Sequence, residues 1–140
     1  MTSTKIFLRL KTELSELNRL SRALNQFGAT LKLPPAIIFK INLALEELIC
    51  NIISYGHPEN RFHQIDLSVE FKTNALIIHL NDDGIPFNPL NAPCPDLACG
   101  LENRKIGGLG IQLVKSVMDE VCYQRYGNIN SLTLKKYINK

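Results

Sequence analysis

The chain has 140 residues, enough for a single domain over residues 1–140 that buries a core without disulfides or a structural metal. Hydrophobic residues make up 45% and charged residues 21%, the composition of a soluble globular protein. Sixteen Lys and Arg against thirteen Asp and Glu leave +3, too little to argue for direct contact with nucleic acid or for a membrane surface.

The longest apolar runs, Ala36–Phe39 and Ala75–Ile78, are far too short to span a bilayer. The start, Met1-Thr2-Ser3-Thr4-Lys5, lacks the apolar segment of a secretory signal, so a cytoplasmic location is expected. Cys50, Cys94, Cys99 and Cys122 contain no C-x-x-C pair, and His57, His63 and His79 are scattered. Reduced thiols are expected, and no metal bound by Cys or His.

Residues 5–10 read as a first strand. Leu14, Leu17, Leu20, Leu24 and Phe27 then recur at helical spacing, with Gly28 as the expected stop. Pro34-Pro35 opens a second helix with the stripe Ile37, Ile41, Ala44, Leu48, Ile52 and Tyr55, ending at Gly56 with Pro58 beyond. Ile65, Leu67, Val69 and Phe71 alternate with polar residues, the pattern of a strand with one buried face. Lys72-Thr73-Asn74 turns this strand into a partner running from Ala75 to Asn81. After Asp82-Asp83-Gly84-Ile85-Pro86-Phe87 comes a stretch without periodicity, Asn88 to Ile106, long enough to suggest a functional loop. Gly107-Gly108-Leu109-Gly110 leads into a third helix with Leu113, Val114, Val117, Met118 and Val121 as its buried positions. A hairpin of residues 121–126 and 131–137, turning at Gly127-Asn128, ends the pattern. The order β-α-α-β-β-α-β-β predicts a two-layer α/β (α+β) sandwich, a mixed sheet with helices on one face.

Four features carry chemistry. Glu47 and Asn51, at i and i+4, share one face of the second helix. At about 100° per residue, they fall on the shoulder of the stripe centred on Leu48, while Glu46 points about 160° away, into solvent. A polar pair on that shoulder can border a cleft or simply mark the helix boundary. Asp82 and Gly84 end an apolar strand, where an acid accepts from a ligand amine and a glycine lets a ligand approach, or where both simply build a polar turn. The glycines at 107, 108 and 110 precede a helix whose free N–H groups suit an anion; a hinge for the loop is the plainer alternative. Arg104 and Lys105 near the loop's end can meet phosphates or water. No G-x-x-x-x-G-K-[ST] is present, so this is not a P-loop.

Together, E-E-L-I-C-N on a helix, D-D-G-I-P-F after a hairpin, and G-G-L-G-I before the last helix resemble the GHKL (Bergerat) ATP-binding domain shared by gyrase, Hsp90, histidine kinases and MutL. The run from Gly107 to Val121 further resembles the stand-alone anti-sigma factor serine kinases of the RsbW type. The resemblance spans about residues 5–137. It implies Glu47 as general base, Asn51 as ligand of the Mg2+ that bridges the ATP phosphates, and Asp82 as acceptor for the adenine amine, with Gly84 beside it. Gly108 and Gly110 match the base of an ATP lid over residues 88–107. Tyr55 stands where many members have histidine, and Pro86 where histidine kinases have glycine. The usual threonine near the adenine has no clear equivalent; Asn130, Ser131 and Thr133 are candidates. The implied function is an ATP-dependent protein serine/threonine kinase, a transferase that phosphorylates an anti-sigma-factor antagonist (STAS-type) domain. The resemblance also implies that the protein sequesters a sigma factor and so regulates transcription. Members of that family commonly pair, so the resemblance leaves a homodimer open without implying one. The alternative is a nucleotide-binding partner switch without significant kinase activity. A histidine-kinase catalytic domain is disfavoured, because the chain carries no dimerisation helix with a phospho-accepting histidine.

Overall fold

The computed structural model describes residues 4–55, 63–86, 88–89 and 106–138, with residue 55 and residues 106–110 described by their backbone. In chain order the elements are β1 (Thr4–Lys11), α1 (Glu16–Thr30), α2 (Pro35–Tyr55), β2 (Gln64–Lys72), β3 (Ala75–Asp82), α3 (Ile106–Val117), β4 (Glu120–Tyr126) and β5 (Ile129–Tyr137). The five strands form one sheet in the order β1-β2-β3-β5-β4. Strand alternation turns Leu10, Ile65, Leu67, Val69, Leu76, Ile78, Leu80, Leu132 and Leu134 inward. There they join Leu20, Leu24 and Phe27 of α1, Ile38, Ile41, Leu45, Leu48 and Ile49 of α2, and Ile111 and Val114 of α3 in a single core. The opposite face is wet, with Phe7 58% exposed and Arg9 paired to Asp66 at 2.8 Å. This is the expected two-layer α+β sandwich.

The mixed sheet is corrected. All four pairings of the described strands are antiparallel. The β3-α3-β4 crossover does make β3 and β4 run the same way. The final hairpin then inserts β5 between them, so they never pair.

Gly28 does not stop α1, which runs on to Thr30. Lys32, in the left-handed region at φ 57°, ends it instead: Leu33 N–H donates to the Gly28 carbonyl and Lys32 N–H to that of Ala29, a Schellman closure made without glycine. The third helix begins at Ile106, so the glycine run lies within its first turns, and Val121 belongs to β4. Gly56 and Pro58 lie outside the described residues. No helix among them is long and apolar enough to cross a membrane.

Candidate functional site

The inward row of β3, Leu76, Ile78 and Leu80, ends in Asp82, which puts a carboxylate at a core position, 7% exposed. A buried carboxylate is costly unless hydrogen bonds compensate it. Gly84 N–H donates to Asp82 Oδ2 at 2.8 Å, and Asn130 Nδ2 does so at 3.4 Å. Asp82 and Asn130 are register partners across β3 and β5. Alternation along β5 sends Asn130, Leu132 and Leu134 inward. Thr133 lies on the outer face, its hydroxyl 3.2 Å from His79 Nδ1, and Ser131 shares that face. Of the three late-strand candidates, Asn130 alone faces the helices.

Asn130 is held from the sheet's edge. On β4, Tyr123 donates its hydroxyl to Asn130 Oδ1, and Arg125 Nη1 donates to the same oxygen at 3.0 Å. Arg125 Nη1 also donates to the Gly84 carbonyl at 2.8 Å, and Asn130 Nδ2 to the Ile85 carbonyl at 2.8 Å. Sequence reasoning missed Tyr123 and Arg125. The available signal was the period of two along β4, which sets Val121, Tyr123 and Arg125 on one face.

The helical wall of the site is α2. Leu48, Asn51 and Ile52 face Leu80, Asp82, Ile85 and Leu132 across a cleft of about 420 Å³, counting its open mouth, with Tyr123, Pro89 and Asn130 completing the lining. Among the described residues the buried polar side chains are Asn51 (4% exposed), Asp82 and Asn130 (6%), and all three line this cleft. An apolar slot with a few buried polar groups is the usual form of a small-molecule site.

The structure thus brings Asn51 and Asp82 together, with Gly84 buried in the adjoining turn. Glu47 is half-buried one turn before Asn51 and is not among the side chains lining the cleft. Glu46 departs from expectation: it is half-buried and accepts from Asn42 Nδ2 at 3.3 Å. The buried arc of α2 extends past Leu48 through Ile38, Leu45 and Ile49, which brings that shoulder toward Glu46. Burial pushes the Cys50 thiol above its ordinary value, and the nearby Glu47 and Glu46 charges raise it further. Cys50 therefore remains a protonated packing residue.

Gly108 lies in the first turn of α3, where backbone N–H groups have no partner within the helix. Gly110 lies one residue beyond that set. Arg104 and Lys105 lie outside the described residues, as does the expected lid apart from Asn88, Pro89, Ile106 and Gly107. No group of three or more His, Cys, Asp or Glu arranged for a metal occurs among the described residues. Asn51, an oxygen donor in the cleft wall, fits Mg2+, which is commonly held by one or two protein oxygens plus phosphates and water.

A profile of the histidine kinase-like ATPase domain matches residues 10–136. The serine/threonine-protein kinase BtrW of Bordetella bronchiseptica is 29% identical over 99 residues, 71% of this chain and 70% of that protein. The fold is similar to the structure of the RsbU and RsbW domains of Rv1364c from Mycobacterium tuberculosis. There the TM-score is 0.71 at 12% identity, covering 98% of this chain and 33% of that one. It is also similar to the blue-light activated histidine kinase EL346 of Erythrobacter litoralis, with TM-score 0.59 at 17% identity over 89% of this chain and 41% of that one. With a match over nearly its whole length, and with the buried polar groups of its core gathered in one cleft, the chain belongs to the histidine kinase-like ATPase domain family.

Proposed function

We propose that this chain is an ATP-dependent protein serine/threonine kinase of the anti-sigma type. Its phosphoryl acceptor is a hydroxyl on a STAS-type antagonist domain, and its second partner is a sigma factor that it holds. The observation that carries the reading is the convergence of Asn51, Asp82 and Asn130 on one apolar cleft. Asp82 accepts from the adenine amine, while Leu48, Ile52, Leu80 and Leu132 cover the base. Asn51 holds the Mg2+ that neutralises the phosphates when bound. The first-turn N–H groups of α3, with Gly108 and Gly110 leaving room and Arg104 and Lys105 supplying charge, receive the phosphate oxygens.

Phosphoryl transfer needs mainly positioning and charge neutralisation. Glu47 accepts the proton of the incoming hydroxyl as its oxygen forms a bond to the γ-phosphorus and the bond to ADP breaks. Glu47 is half-buried one turn before Asn51 on α2, outside the lining of the cleft. The similarity to BtrW, named a serine/threonine-protein kinase, supports the activity. The test is incubation with γ-labelled ATP, Mg2+ and a STAS-type domain. Label on a serine or threonine of that domain supports the kinase. Tight ATP binding without transfer leaves the partner switch as the function.

A further inference from the structure

The polar chain behind Asp82 has a direction, set at one end by Arg125, which donates to Asn130 Oδ1, and at the other by the Ile85 carbonyl and Asp82, which accept from Asn130 Nδ2. Arg125, Asn130 and Asp82 occupy one row across β4, β5 and β3 on the inner face, paired in register. A guanidinium only donates, and a carboxylate only accepts. The amide between them can satisfy both in one orientation: Oδ1 toward Arg125 (3.0 Å) and Nδ2 toward Asp82 (3.4 Å). The reversed amide would set its NH2 against the guanidinium and its oxygen against the carboxylate. Arg125 also spans β5 to reach the Gly84 carbonyl (2.8 Å), and its Nε donates to the Gly127 carbonyl (3.0 Å). It therefore ties the turn after Asp82 to the β4-β5 hairpin.

We infer that Arg125 is a positioning residue for base selection: it fixes the Asn130 amide and the Gly84 carbonyl so that the inner end of the cleft presents an N–H donor beside a carboxylate acceptor. That pair matches the edge of a 6-aminopurine, whose exocyclic amine donates and whose N1 accepts. A 6-oxopurine carries the opposite pattern at both positions, so it meets acceptor with acceptor and donor with donor. One Asn130 N–H is committed to the Ile85 carbonyl at 2.8 Å, and the long 3.4 Å approach to Asp82 is the one a base nitrogen competes for. The inference rests on the nucleotide reading above and adds a residue to it.

The experiment compares ADP with IDP, which differ only at the 6-position and N1, by calorimetry on the full chain. The wild type is expected to prefer ADP strongly. Arg125→Met should weaken ADP binding on the order of tenfold while changing IDP little, so the preference falls by a similar factor. Arg125→Lys, which keeps a cation with a single donor head, should recover part of it. Asn130→Asp keeps both accepted bonds and the side-chain shape but removes the N–H, and should collapse the preference as well. If Arg125→Met weakens ADP and IDP equally, or lowers the melting temperature with the ratio intact, the residue is only structural and the inference fails. If the wild type binds neither nucleotide, the nucleotide reading itself fails and takes this inference with it. A wild type that binds both equally refutes the base selection alone.

Discussion

A methyl group built on Gly28 would lie 2.6 Å from Cγ1 of Ile38, so α1 crosses α2 where only a hydrogen fits. Cγ1 is the stem of a buried side chain and has little freedom to move aside. Gly28→Ala should therefore destabilise the protein by about 1–3 kcal/mol from overpacking, partly offset by the ~1 kcal/mol that alanine gains within a helix. In an Ile38→Ala background the obstruction is gone, and the same substitution should become neutral or stabilising. Urea unfolding of the four proteins in a double-mutant cycle measures this coupling. Additive effects would mean that the helices do not meet at this pair.

Thr73 and Asn74 form the two-residue loop between β2 and β3, both at positive φ (52° and 58°). A type I′ hairpin turn requires that geometry and favours Asn-Gly; a β-branched threonine is strained there. The pair Thr73→Asn and Asn74→Gly should raise stability by about 1 kcal/mol. The Asn74 carbonyl, which accepts from Ile138 N–H at 2.8 Å, is kept by any residue. A rise in the urea midpoint with unchanged slope is the expected result, and no rise would remove the strain argument.

Asp82→Asn should weaken ATP binding by about 1–3 kcal/mol, the range for disrupting a charge-assisted bond in a buried site. The new amide can still accept from Gly84 N–H through its oxygen. Its NH2 group then competes with the donors of Asn130 and of the adenine amine. Calorimetric titration with ATP checks this, and unchanged affinity would rule Asp82 out as the base reader.

The local periodicities made most of the fold readable. Alternation from Ile65 to Phe71 marked β2, and the stripe through Ile41, Ala44 and Leu48 marked α2. Asn51 was legible as the partner of Glu47 one turn on, at the shoulder of the α2 stripe, and Asp82 as the acid that follows an apolar strand and precedes a glycine. Period two along β4 sets Tyr123 and Arg125 on one face, but their partners were not legible, because they depend on β5 lying between β3 and β4, a long-range pairing that no local pattern encodes. Gly28 misled for a related reason: glycine ends many helices, and its use here depends on Ile38, a residue of another element. A single stripe centred on Leu48 leaves Glu46 in solvent, whereas burial of Ile38, Leu45 and Ile49 widens the buried arc of α2 toward it.

The adjacent glutamates of α2 provide the sharpest test of the kinase reading, since both are half-buried and they differ in what they face. Glu46 is tied along the helix to Asn42, whose buried Oδ1 has no hydrogen-bond partner among the described residues. Glu46→Ala should cost about 0.5–1.5 kcal/mol of stability through the lost bond and leave phosphoryl transfer unchanged. Glu47→Gln keeps the size and removes the base, so transfer to a STAS-type domain should fall steeply while ATP affinity holds, because the proton it takes belongs to the incoming hydroxyl. Labelled-phosphate transfer and ATP calorimetry on both variants give the two readouts. Transfer retained in Glu47→Gln would remove Glu47 as the base and leave the nucleotide site standing. Transfer lost in Glu46→Ala with stability intact would assign that role to the other carboxylate.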